Sequence, residues 1–102
     1  MIHVIATITL KPGVRDKFLE AFARLTPLVL AEEGCVEYGA TIDEPTGMEV
    51  QQLTGADAVV VVEKWESVAA LGAHLAAPHM AAYRDETADM TTGVTLLVLR
   101  PA

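Results

Sequence analysis

The sequence predicts an α+β fold of order βαββαβ, the split βαβ pattern, and three observations carry that prediction. The chain opens on a strict alternation that puts Ile2, Val4, Ala6, Ile8 and Leu10 on one face of a strand. Two later stretches repeat their apolar residues at helical spacing: Phe18, Phe22, Leu25 and Val29 in the first, and Leu71, His74 and Leu75 in the second. Short runs at Cys35 to Asp43, Ala58 to Trp65 and Val94 to Leu99 supply the remaining strands.

Taken in order, Lys11-Pro12-Gly13 turns the first strand into the first helix, whose Arg15, Asp16, Glu20 and Arg24 point largely outward. Pro27 cannot donate a backbone hydrogen bond, so the helix either kinks there or restarts with Thr26 as cap and Pro27 at its first position. Gly34 stops it. In the second strand Val36, Tyr38, Ala40 and Ile42 share one side. Glu44-Pro45-Thr46-Gly47 is a loop, Met48 to Leu53 is a short strand or irregular, and Gly55-Ala56-Asp57 leads into the next strand. There Val59, Val61, Glu63 and Trp65 share a face. Ser67 caps a helix that Pro78 breaks, and the helical pattern fades at Thr91-Thr92-Gly93.

Composition narrows the function. The 102 residues fit one domain, and 52% of them are hydrophobic, more than a core of that size requires, which predicts a surface that meets a partner. Fourteen acidic against seven basic residues give a net charge of -7, which argues against nucleic acid and against anionic membrane. A single cysteine, Cys35, excludes an intrachain disulfide and any two-cysteine motif, and fits a reducing cytoplasm. No apolar run approaches the ~20 residues of a membrane span. GxGxxG, Walker, HExxH and nucleophile-elbow motifs are all absent, and His74 and His79 lie five apart across a proline, a poor spacing for one metal ion. An enzyme built this way needs a substrate that brings its own reactivity.

The candidate chemical groups crowd into Val59 to Arg84. His74 sits on a core-facing stripe and reads either as a buried neutral histidine or as a site base. His79 and Tyr83 are four apart, which aims both at one volume or packs both against the first helix. Trp65 reads as core or as an apolar wall. Glu63 is a charge on a buried face and needs a partner, for which Arg84 is the candidate, or a raised pKa. The Tyr38 hydroxyl is expected on a backbone carbonyl or in a cavity, and Cys35 is a small buried residue, not a nucleophile.

Several segments together resemble the antibiotic biosynthesis monooxygenase (ABM) family: Glu63-Lys64-Trp65-Glu66-Ser67, Ala70-Leu71 with His74, and Pro78-His79-Met80 with Tyr83. Val4-Ile5-Ala6, Lys11-Pro12-Gly13, Gly34-Cys35 with Tyr38 and Asp43, Gln51-Gln52, and Leu99 with Pro101 resemble its bacterial quinol monooxygenase branch. The resemblance covers Ile2 to Pro101 and implies a single ABM-like domain over residues 1–102, with its core in 2–93. It implies a ferredoxin-like fold with an antiparallel sheet, dimerising as an α/β-barrel. It also implies oxygenation of hydroquinone- or anthrone-type aromatic substrates by dioxygen with no cofactor. The site would then hold His74 or His79 as base, Tyr83 or Tyr38 as hydrogen-bond donor, and Trp65, Glu63 and Arg84 against the substrate. In the haem-degrading branch of the superfamily an Asn, a Trp and an axial His do the work; the matching Ala6, His74 and Arg84 leave no iron ligand here. The competing class is an isomerase of a phosphorylated sugar-like metabolite, or a binding protein without turnover. Only Lys64 and Arg84 are at hand for a phosphate.

The strand patterns also predict an obligate homodimer. Val59 to Val62 and Val94 to Leu99 are apolar on both faces, yet both crossovers of a βαββαβ chain fall on one side of the sheet. The other face is expected to bury on the order of 2,000 Å² against a second copy. A charge at Val61 or Leu97, whichever points outward, would then split the pair.

Overall fold

A computed structural model describes all residues, Met1–Ala102. Its elements are β1 (Ile2–Leu10), α1 (Arg15–Leu30), β2 (Cys35–Thr41), β3 (Ala58–Trp65), α2 (Val68–Leu75), α3 (Pro78–Thr87) and β4 (Thr91–Leu99). The strands form one sheet in the order β2-β3-β1-β4, every neighbouring pair antiparallel. This is the α+β ferredoxin-like arrangement, with one helix more than the order read from the sequence.

The pleat sorts the strand residues. Ala6 of β1 stands between Val61 of β3 and Leu96 of β4, so Val4, Ala6, Ile8, Val59, Val61, Glu63, Trp65 and Tyr38 face the helices. Phe18, Phe22, Leu25 and Val29 of α1 and Leu71 of α2 meet them there and complete the core. His3, Ile5, Thr7, Val60, Val62, Leu97 and Leu99 have the opposite parity and face away. Val61 therefore belongs to the core, and Leu97 is the outward residue of the two.

Pro27 neither kinks nor restarts α1. It lies in the last turn, where a missing N–H removes a single bond, and the Ala31 N–H still reaches its carbonyl at 3.2 Å. The second helical stretch does break at Pro78. The Ser67 hydroxyl accepts the Ala70 N–H and starts α2, while Pro78 occupies the first turn of α3, where its fixed φ costs nothing. Leu75 is 40% exposed rather than core. Met48 to Leu53 forms no strand, and β4 begins three residues earlier than its apolar run, because Thr91 already pairs with Leu10 across a register shift.

The turn after α1 is held tightly. Gly34 has φ +82, and a Cβ there would lie 2.6 Å from the Ala70 Cβ, so only glycine lets the chain pass beneath α2. The Gly34 carbonyl accepts the Glu66 N–H, and Glu32 in the same turn uses both its N–H, to Val29, and its carbonyl, from Cys35.

Candidate active site

A cavity of about 320 Å³ opens between the helix side of the sheet and α2 and α3. Ala6, Ile8, Val61, Met80 and Leu75 make most of its wall apolar, and Val94 and Leu96 of β4 form the rim. Its polar groups are His74, Tyr38, Tyr83, Glu63 and Arg84. The volume is at the low end of the roughly 300–1,000 Å³ of small-molecule sites, which suits a small aromatic ring system.

His74 is 1% exposed, with its ring centroid 4.6 Å from Trp65 at a 34° tilt and 5.4 Å from Tyr38 edge-on. Tyr38 in turn stacks on Phe22 at 5.4 Å and 11°. This aromatic row leaves the imidazole little freedom. Its Nδ1 lies 2.9 Å from Glu32 Oε2, and the same oxygen lies 2.8 Å from His79 Nε2. His74 Nε2 makes no hydrogen bond, yet no buried side-chain nitrogen or oxygen is without a partner. The residue's remaining exposure therefore lies at Nε2, inside the cavity. Nδ1 is thus the ring nitrogen engaged by the carboxylate, and Nε2 is the one presented to whatever binds.

His79 does not reach that cavity. It lines a separate outer groove with Tyr83, Arg24 and Glu86 and is partly exposed. Trp65 is no wall either: it lies behind His74 and donates its indole N–H to Glu63 Oε1 at 2.9 Å. Arg84 does not pair with Glu63. Its guanidinium donates to the Leu75 carbonyl at 2.5 Å, tying α3 to the end of α2 while remaining on the cavity wall. Glu63 thus takes the other course open to a buried carboxyl. Burial pushes its pKa up, with the Trp65 bond and His74 pulling the other way.

Burial also raises both tyrosines, Tyr38 far above its ordinary value and Tyr83 to about 12, so each hydroxyl keeps its proton and can donate. The Tyr38 hydroxyl meets no backbone carbonyl and is free for a ligand. The Cys35 thiol is raised by burial, then by Glu32 and Glu63, which fits an unreactive sulfur. No group of three or more His, Cys, Asp or Glu side chains is placed to hold a metal ion. Glu32 is the site residue that sequence reasoning missed. It follows the end of α1, 42 residues before His74, where no periodicity or motif singles it out.

Residues 1–86 match the family model for antibiotic biosynthesis monooxygenase. The chain belongs to that family. It is 39% identical over 103 residues to the "Probable quinol monooxygenase YgiN" of Escherichia coli (strain K12), covering 99% of this chain and 98% of that protein. The fold matches PA3566 from Pseudomonas aeruginosa at a TM-score of 0.80 and 24% identity, over 99% of this chain and 94% of that one. It matches Rv0793 from Mycobacterium tuberculosis at 0.79 and 24%, over 99% and 94%. The ABM family and the quinol monooxygenase relative support a function of the monooxygenase type. No helix of this ABM chain is long and apolar enough to cross a membrane.

Proposed function

We propose that the chain is a cofactor-independent monooxygenase that oxidises hydroquinone- or anthrone-type rings with dioxygen in the cytoplasm. The observation that carries the reading is His74 in the wall of an apolar cavity, with Nδ1 held by Glu32, Nε2 free of any hydrogen bond, and two protonated tyrosines lining the same cavity.

The substrate supplies the electrons. His74 Nε2 takes a proton from the ring hydroxyl or the benzylic carbon, and the resulting anion passes one electron to dioxygen. Radical and superoxide combine to form a carbon–oxygen bond, and the peroxide anion recovers the proton from His74. Loss of the carbon-bound hydrogen as a proton, with cleavage of the O–O bond, leaves a carbonyl, and the departing hydroxide takes that proton to become water. For an anthrone a CH2 group plus O2 becomes a carbonyl plus water, and for a hydroquinone an aromatic CH beside the ionised oxygen plus O2 becomes the C–OH of a hydroxyquinone plus water, so no outside reductant enters. Tyr38, Tyr83 and Arg84 are the donors facing the developing negative charge, and the apolar wall keeps water from competing.

The same reading takes the protein to be a homodimer. Leu97 and Leu99 on the bare sheet face, and Val94 and Leu96 at the cavity rim, are all more than two-fifths exposed in the single chain, so β4 presents apolar side chains on both of its faces for a partner to cover. A second copy is the occupant that satisfies the two-fold geometry of a bare sheet.

The deciding experiment gives the purified protein menadiol or an anthrone and compares oxygen uptake in air with an anaerobic control. Uptake above the uncatalysed rate by colourless protein is the expected result. A flavin or haem absorption spectrum, or no uptake with any of a panel of quinols, would reject the assignment.

A further inference from the structure

We infer that Glu32 is the positioning residue of this site: it selects the tautomer of His74 that leaves Nε2 unprotonated in the cavity, and His79 is the latch that holds Glu32 in place. The inference rests on the proposed role of His74 as base, and it changes the role of His79 from candidate base to support.

Three observations bear it. The two imidazoles converge on one oxygen, Oε2, at 2.9 and 2.8 Å, although they sit on different helices. A carboxylate that accepts from both fixes a proton on the near nitrogen of each ring. For His74 the near nitrogen is Nδ1, so the far one, Nε2, is the acceptor.

The surroundings are stiff where a positioning group needs them to be. Glu32 lies between α1 and β2, but both of its backbone polar groups are bonded and Gly34 locks the turn two residues on. Its side chain is 14% exposed against 25% for His79 and 2% for His74, so the three form a graded path from solvent to cavity. His79 on the outer side completes the second bond to Oε2 and keeps the carboxylate from turning away from His74.

The carboxylate has a second task within the proposed reaction. When His74 takes the substrate proton it becomes an imidazolium inside an apolar cavity, and Glu32 is the counter-charge in direct contact. An amide at this position would keep the size and lose the charge. It would also turn either its NH2 or its oxygen toward Nδ1. In the first case the tautomer inverts and Nε2 carries the proton.

The test is nitrogen NMR of protein labelled with 15N-histidine, without substrate, alongside steady-state kinetics. In the native protein His74 should show a protonated Nδ1 and an unprotonated Nε2. Glu32→Gln should shift His74 toward the Nε2–H form and lower kcat by on the order of 100-fold or more while KM changes little. Glu33→Gln, one residue away and exposed, should move neither signal. His79→Ala should reduce kcat by about 10-fold through a looser Glu32. An Nε2–H tautomer of His74 in the native protein would overturn the inference, and that measurement needs no variant to fold. So would an unchanged His74 signal and unchanged turnover in folded Glu32→Gln. If the native tautomer and its Glu32 dependence hold while no quinol is oxidised, the positioning role stands and the proposed reaction falls.

Discussion

β3 and β4 flank the same central strand and are both rich in branched aliphatic residues, yet the helix face of β3 is buried while β4 is exposed on both faces. Val59 and Val61 are 0% and 1% exposed, whereas Val94 and Leu97 are each 58% exposed. The cause is the placement of the helices. α1 packs over β2 and α2 over β3, so β4 lies beyond their cover on both of its faces. An apolar strand therefore states that it will be covered without stating by what. The cavity opens at this boundary, with Val61 and Glu63 on its covered side and Val94 and Leu96 on its open side.

Matched charges test the contrast most severely. Val61→Asp puts an unpartnered carboxylate in the core and should cost about 4 kcal/mol or more, a large share of the stability of a domain this size. Leu97→Asp should leave a folded chain by circular dichroism and convert a dimer into a monomer by sedimentation. Equal unfolding by both substitutions would mean that β4 is as internal as β3. A dimer that survives Leu97→Asp would mean that the bare face is not the interface.

His74→Ala should lower kcat with a quinol by roughly 100-fold, the usual contribution of a general base, while the far-ultraviolet spectrum stays native. Full activity in that variant would move the chemistry out of this cavity. Gly34→Ala acts on the turn that carries Glu32. The positive φ and the 2.6 Å approach to Ala70 together should cost about 1–3 kcal/mol in a denaturant melt. An unperturbed melt would show that the turn can relax, and that Glu32 is held less firmly than its hydrogen bonds imply.

How much of this was legible in the sequence follows from the range of each signal. Periodicity reports on neighbours within an element, so the strand faces, the buried stripe of α1 and the placement of Tyr38, Glu63 and His74 toward the interior all came from spacing. The break at Pro78 was equally local. What spacing does not encode is which residues of distant elements share an atom. Glu32 lies 42 and 47 residues from its two histidines, and only the passage of the α1–β2 turn beneath α2 joins them. The Arg84 misassignment has the same origin. Charge complementarity favoured Glu63, but the break at Pro78 places Arg84 beside the end of α2, where the Leu75 carbonyl is unpaired within its helix. His79 and Tyr83 share the outer groove, as i, i+4 spacing required, while only Tyr83 also reaches the cavity.

The smallest expected effect concerns Glu63, the one carboxylate on the covered face. Its amide counterpart, Glu63→Gln, keeps the oxygen that accepts the Trp65 N–H and cannot ionise. Burial raises the folded pKa above the ordinary carboxylate value, so the folded chain holds this proton to a higher pH than the unfolded chain does. Stability contributed by the group is then fully present below the unfolded pKa and is lost as pH rises through the folded one. Relative to the native protein, Glu63→Gln should melt at nearly the same temperature near pH 4 and at a higher temperature near pH 8. Thermal melts at the two pH values check it. An equal shift at both would assign the change to packing, and a lower melting temperature near pH 8 would mean that ionised Glu63 has a partner. The gain near pH 8, if found, measures what the fold gives up to keep a carboxylate on the wall of its cavity, a cost with no counterpart on the bare face of β4.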